Sequence, residues 1–194
     1  HLDRMQGSAS ALLIPFDRER ARIVILNTCA RLDQDLPARL RLDLATNGDL
    51  SAQCGTLDQI DEPVKIFWAK DILQMNCEMS SSNRLLTHKV NTRDLYDLAW
   101  QEAVKLGGFD AIFVNEQGFV TEGGRSSVFI KPANSDEWLT PPLSAGVLPG
   151  VMRKALLTDP SINVREANLT IQDVLMAKEI MLSNALRGAI KAHF

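Results

Sequence analysis

Apolar residues from Leu2 to about Leu13 recur at three- and four-residue steps, and Asp17 to Leu32 repeats the pattern through Ile23, Leu26 and Ala30. This spacing predicts two helices, with Pro15 punctuating the gap. In Arg39-Leu-Arg-Leu-Asp-Leu-Ala the period shortens to two, and Asn47-Gly48-Asp49 supplies residues that tolerate positive φ before Leu50-Ser-Ala-Gln-Cys continues, so a hairpin is expected. Val64 to Ala69 reads as a further strand. The polar stretch Ser80-Ser-Ser-Asn then looks like a connection, which places a boundary near residues 72 to 86 and predicts lobes of residues 1–78 and 79–194.

Thr92 to Leu106 carries Leu95, Leu98, Ala99, Ala103 and Leu106 on one helical face, with Asn91 or Thr92 as N-cap and Gly107-Gly108 as the stop. Short β-type runs follow at Ala111 to Val114, Phe119 to Thr121, Ser127 to Lys131 and Trp138 to Thr140, and read as a compact antiparallel sheet. Pro149 stands at an expected first helical position, Thr170 to Ala177 predicts another helix, and Ile180 to Leu182 a last strand. Strands and helices alternate without a steady β-α-β rhythm. The expected fold class is therefore α+β in two lobes, with the cleft between them as the default ligand site.

Composition narrows the function. With 45% hydrophobic and 23% charged residues the 194-residue chain can bury a core, and a net charge of −3 with scattered basic residues argues against a nucleic-acid face. A small anionic ligand is compatible with this balance. Cys29, Cys54 and Cys77 are odd in number and lack metal-type spacing, so no disulfide framework and no metal site is expected, and a reducing cytoplasm fits. No apolar run reaches the roughly 20 residues of a membrane helix, and the polar amino end does not read as a signal peptide.

Four segments could carry chemistry. Lys89, in Thr87-His88-Lys89-Val90-Asn91, stands between the polar connection and a helix, either as an amine nucleophile towards a carbonyl or as a solvated surface lysine. Glu122 lies between a strand and two glycines, suited to a ligand cation or a protonated ring nitrogen, or else to a turn pair with Arg125. Leu148-Pro-Gly-Val-Met-Arg153 offers free N–H groups at a helix start, which bind phosphate in some proteins and only water in most. Asn184 ends a predicted strand, where asparagine more often caps a turn than holds a ligand. Together the four ask for a ligand with an aldehyde, a basic ring nitrogen and a phosphate, a description that fits pyridoxal 5′-phosphate.

The order and wording of these segments resemble the branched-chain aminotransferase and aminodeoxychorismate lyase family, the fold type IV pyridoxal-phosphate enzymes. The resemblance rests on His1-Leu-Asp-Arg-Met with Ser8-Ala9, His88-Lys89 with Arg93 and Tyr96, Gly118-Phe-Val-Thr-Glu122, Thr140-Pro-Pro-Leu with Gly146 to Arg153, and Ser183-Asn-Ala-Leu-Arg-Gly188. Gly124-Arg-Ser and Asn184-Ala-Leu-Arg-Gly look most like the lyase half of fused para-aminobenzoate synthases. The chain departs from the family at Ser127, where asparagine is usual, and at Val90, where threonine is common. The family normally begins with strands ahead of the first helix seen here, so a small N-terminal lobe that is truncated is expected.

The resemblance implies that Lys89 is the covalent anchor of pyridoxal 5′-phosphate and the catalytic base, and that Glu122 pairs with its ring nitrogen. It implies that Arg4, the amides of Val151 and Met152, and Asn184 hold the phosphate; Arg4 would otherwise read as a surface helix residue. The activity implied is conversion of 4-amino-4-deoxychorismate to para-aminobenzoate and pyruvate, in folate biosynthesis. The alternatives are a branched-chain or D-amino-acid aminotransferase and an inactive truncated domain. The implied protein is a cytoplasmic homodimer acting on a small-molecule substrate, with or fused to a para-aminobenzoate synthase component, and without nucleic acid or membrane partners.

Overall fold

The computed structural model describes residues 1–30, 32 and 36–194, which form two compact units, His1–Ile60 and Asp61–Phe194. The first unit runs α1 (Leu2–Ala11), α2 (Arg18–Cys29), β1 (Ala38–Leu44) and β2 (Leu50–Thr56). Asp17 caps α2, its Oδ1 accepting the Arg20 N–H at 3.0 Å. The hairpin forms as the alternation predicts, with Leu44 opposite Leu50 and Gly48 at φ +88° in the turn.

α2 docks on β2 through a face other than the one expected. The residues turned inward are Ala21, Val24, Ile25, Thr28 and Cys29, whereas Ile23 and Leu26 are 56% and 65% exposed. Both sets have helical spacing. Packing selects the one with Ala21, whose lack of bulk lets the helix approach closely. The expected continuation of this helix through Arg31 lies outside the described residues.

The second unit runs β3 (Val64–Trp68), α3 (Ala69–Leu73), a 3₁₀ turn at Arg84–Thr87, α4 (Asp94–Lys105), β4 (Asp110–Val114), β5 (Val120–Gly123), β6 (Ser127–Pro132) and β7 (Trp138–Thr140). A second 3₁₀ turn at Leu143–Ala145 leads to α5 (Val151–Thr158), β8 (Val164–Glu166), α6 (Ile171–Leu175), β9 (Ala177–Asn184) and β10 (Gly188–His193). The strands follow the order β5-β4-β3-β10-β9-β6, and a β5–β6 pairing closes them into a ring from which β7 and β8 extend. Ile66, Ile112, Phe113, Phe129, Leu182 and Ile190 are buried within this unit.

The sheet is mixed rather than antiparallel, because β3 runs parallel to both β4 and β10 and β7 runs parallel to β8. The same pairings explain why the units divide at residue 60, whereas the polar connection suggested 78. β3 is hydrogen-bonded between β4 and β10 and belongs with them. On α4 the inward residues are Tyr96, Ala99 and Ala103, with Leu98 and Leu106 exposed; they join Cys77, Met79, Leu86 and Phe113 in one apolar cluster. Arg93, not Asn91 or Thr92, occupies the N-cap of α4.

Candidate functional site

The β5–β6 pairing sets Glu122 opposite Ser127, and the β6–β9 register sets Ser127 opposite Ser183. Directly opposed residues of antiparallel strands project from the same face, so one rung carries Glu122, Ser127 and Ser183 side by side. All three are buried. The turn that bends β5 into β6 is pinned by the buried Asp110 carboxylate, which accepts the Ser126 hydroxyl at 2.6 Å and the Arg125 N–H at 3.1 Å. A Cβ on Gly123 would meet Asp110 Oδ2 at 2.4 Å, so glycine is what allows this close approach.

Glu122 is 7% exposed. Its Oε1 accepts the Tyr96 hydroxyl at 3.1 Å and its Oε2 the Leu148 N–H at 3.0 Å. Burial pushes its carboxyl up to about 7, against the opposing pull of those two hydrogen bonds and of the charges on Arg93 and Lys89. Arg125, the turn partner weighed from sequence, stacks on Trp100 with its guanidinium 3.4 Å from the ring centroid.

A raised pKa on a buried acid has a thermodynamic consequence. The folded protein binds a proton that the unfolded chain has released above the usual value of 4.5, so stability falls as pH rises from there to about 7. For Glu122 the loss amounts to roughly 3 kcal/mol in the protein without cofactor. Chemical denaturation from pH 4.5 to 8 will show this decline, and Glu122→Gln will flatten it; equal slopes in parent and variant would contradict the assignment.

The helix start lies beside the same rung. Gly150, not Pro149, is adjacent to the first residue of α5, and it caps the helix without a side-chain hydrogen bond. Pro149 sits one position further out. The first amides of α5, those of Val151 and Met152, have no carbonyl within the helix to meet. A Cβ on Gly150 would stand 3.1 Å from Ser127 Oγ, so the helix start comes down onto the middle of the rung. Arg153 anchors α5 by donating to the Pro141 carbonyl at 2.7 Å and the Glu166 carboxylate at 2.5 Å.

Lys89 is exposed, in the segment between the Arg84–Thr87 turn and α4, and its charge reaches Glu122. Asn184 ends β9, one residue beyond Ser183, and its Oδ1 accepts the N–H groups of Leu186 at 3.0 Å and Arg187 at 2.8 Å. It therefore performs the turn-capping role weighed for it. Arg4 lies on α1 in the first unit. Lys89, Glu122, Val151, Met152 and Asn184 all belong to the second unit.

The sequence reading did not foresee Tyr96 and Leu148 as partners of Glu122, nor Ser127 and Ser183 beside it. One signal was present. Tyr96 is the only tyrosine in the chain and stands in helical register with Ala99 and Ala103, and a phenol on a buried helix face requires a partner.

The sequence profile of the class IV aminotransferases ("Amino-transferase class IV") matches residues 1–193, and the chain belongs to this family, whose cofactor is pyridoxal 5′-phosphate. Among curated relatives, a "Putative aminodeoxychorismate lyase" of Schizosaccharomyces pombe is 29% identical, covering 98% of this chain and 80% of that protein. The aminodeoxychorismate lyase of Vibrio harveyi is 25% identical over 97% of this chain and 73% of its own. Among solved structures, a "Putative amino-acid aminotransferase" from Mesorhizobium loti superposes with a TM-score of 0.88 at 31% identity, covering 100% of this chain and 89% of that one.

The residues present fit that cofactor. Ser183 Oγ is buried and finds no hydrogen-bond partner among the described residues, and it shares its rung with Glu122 and Ser127 under a helix start that no side chain caps. A polar ligand with an anionic end and a basic ring atom matches these donors and this acid. Among the described residues no cluster of His, Cys, Asp and Glu could hold a metal ion, and no helix is long and apolar enough to cross a membrane.

Proposed function

We propose that this chain is a pyridoxal-phosphate lyase that converts 4-amino-4-deoxychorismate into para-aminobenzoate and pyruvate. The observation that carries the reading is the buried Glu122 carboxylate, on one rung with Ser127 and Ser183 and adjoining the start of α5. The choice of lyase is supported by the likeness to the S. pombe and V. harveyi lyases and by the wording of Gly124-Arg-Ser and Asn184-Ala-Leu-Arg-Gly.

Bound pyridoxal phosphate supplies an aldehyde carbon that captures an amine and a ring that draws electrons from the carbon bearing it. Lys89 would hold the cofactor through its amine, and as a free amine would take the proton from the substrate carbon that bears the nitrogen. With this proton on Lys89, the neighbouring enolpyruvyl C–O bond would break as the substrate ring becomes aromatic, the electron pair leaving with the enolate, which would take the proton back from Lys89 to become pyruvate. Glu122 keeps a proton on the cofactor's ring nitrogen, so that electron withdrawal is strongest where the substrate carbon loses its proton. Val151 and Met152 donate their amides to the phosphate, Asn184 donates Nδ2 because its Oδ1 serves the turn, and Arg4 contributes its guanidinium. The same reading makes the protein a cytoplasmic homodimer in folate synthesis, with or fused to a para-aminobenzoate synthase component.

A second reading, transamination of branched-chain or D-amino acids, is favoured by the likeness to the M. loti aminotransferase. Product analysis separates the two. The lyase releases para-aminobenzoate and pyruvate in equal amounts from 4-amino-4-deoxychorismate, whereas glutamate formation from an amino acid and 2-oxoglutarate, without para-aminobenzoate, would establish the second.

Cofactor titration examines the phosphate contacts. A charge-assisted arginine–phosphate contact is worth about 1.5–3 kcal/mol, so Arg4→Ala should weaken cofactor binding roughly ten- to a hundredfold. Asn184→Ala, which removes a neutral donor, should cost less. Equal affinities for the parent and Arg4→Ala would take Arg4 out of the site.

A further inference from the structure

Tyr96 is 6% exposed, on the inward face of α4. Its ring meets Phe113 edge-on with centroids 4.8 Å apart, and the Arg93 guanidinium lies over it, 4.8 Å from the centroid. Arg93 is itself tied to the carbonyl of Gly124, just beyond β5. Helix start, aromatic ring and strand end are thus linked, and the phenol is aimed at Glu122 Oε1, 3.1 Å away. The other oxygen, Oε2, accepts the N–H of Leu148 from the segment that leads into α5.

Each carboxylate oxygen therefore has its own donor, and the two donors come from different elements. A carboxylate held at both oxygens cannot rotate about its last bond without breaking a hydrogen bond. The backbone donor at Leu148 is present whatever the side chains are. The hydroxyl of Tyr96 is a side-chain donor, and phenylalanine would fill the same space without it.

We propose that Tyr96 is the positioning residue of this site: its buried hydroxyl, together with the Leu148 amide, orients the Glu122 carboxylate and favours its ionised form in surroundings that otherwise disfavour charge. This rests on the reading of Glu122 as the partner of the cofactor's ring nitrogen. The charged and titratable groups facing the pair are Arg93 at the start of α4, Lys89 just before it, and Asp110 on β4. Arg93 and Lys89 favour the Glu122 carboxylate, whereas burial and the negative charges of Glu122 and Asp110 push the Tyr96 hydroxyl well above its usual range. Tyr96 therefore remains a donor wherever Glu122 titrates.

Infrared titration of the cofactor-free protein tests this directly, with the protonated-carboxyl band of Glu122 identified by its loss in Glu122→Gln. The parent should titrate near pH 7 and Tyr96→Phe about one unit higher, because a hydrogen bond to the charged form has been lost. Phe113→Leu, which loosens the ring packing and keeps the hydroxyl, should titrate with the parent; cooperative melting at pH 5 certifies the fold of each variant. A parent-like titration in Tyr96→Phe, or an equal shift in Phe113→Leu, would overturn the proposal. Cofactor uptake by the unmutated protein is followed separately by absorbance. Its failure would overturn the cofactor assignment while leaving the titration of the cofactor-free protein interpretable.

Discussion

Borohydride reduction of the protein in the presence of pyridoxal phosphate will place a stable tag on Lys89, and Lys89→Ala will lower turnover by roughly 10³-fold or more. Capture of an aldehyde needs a neutral amine held near the carbonyl, and positioning supplies most of the advantage over other amines. Lys89 is exposed enough to reach a ligand and close enough for its charge to act on Glu122. Several other lysines are engaged elsewhere. Lys105 pairs with Glu102 at 2.6 Å, Lys131 with Glu179 at 3.0 Å, and Lys65 lies over the Phe67 ring at 4.8 Å. Peptide mass mapping reads the result directly. A tag spread over Lys65, Lys70 and Lys105, or found on one of them in place of Lys89, would remove the basis of the assignment.

Glu122→Gln will retain the covalent link between protein and cofactor yet lose about 10²-fold or more in kcat. A neutral amide cannot stabilise a proton on the ring nitrogen as a carboxylate does, so the loss in kcat at saturating cofactor falls on the transition state. The glutamine is nearly isosteric and keeps a carbonyl oxygen for either the Tyr96 hydroxyl or the Leu148 amide, but its NH₂ group faces the other donor. Some cofactor affinity will therefore be lost along with turnover. Absorbance and turnover measured on the same preparation at saturating cofactor separate the two effects. A kcat equal to that of the parent would show that Glu122 does not serve the ring nitrogen.

Much of the local structure was legible because it is written in short-range patterns. The β1–β2 hairpin follows from alternation around Asn47-Gly48, where a positive φ is cheap for glycine, and α2 begins where Asp17 can accept an amide. Which face of a helix would be buried was less legible. α2 and α4 each offer two apolar sets at helical spacing, and only the partner surface chooses between Ala21 and Ile23, or between Tyr96 and Leu98. β10 was not foreseen, because Gly188-Ala-Ile-Lys-Ala-His is short and interrupted by small residues; pairing with β9 and β3 makes it a strand. The extent of β9 was underestimated for the same reason.

The candidate site divides in the same way. By itself the sequence determined which chemical groups are available: an amine at Lys89, an acid at Glu122 before two glycines, and a proline-glycine entry to a helix. These depend on residue type and on neighbours a few positions away. Only the tertiary structure decided that Glu122, Ser127 and Ser183 share a rung, that α5 begins against it, and that Tyr96 and Leu148 take one carboxylate oxygen each. Glu122 and Tyr96 are separated by 26 residues, as are Glu122 and Leu148. No local propensity couples positions so far apart; strand register and the closing of the sheet do, and the acid's raised pKa follows from the burial they impose.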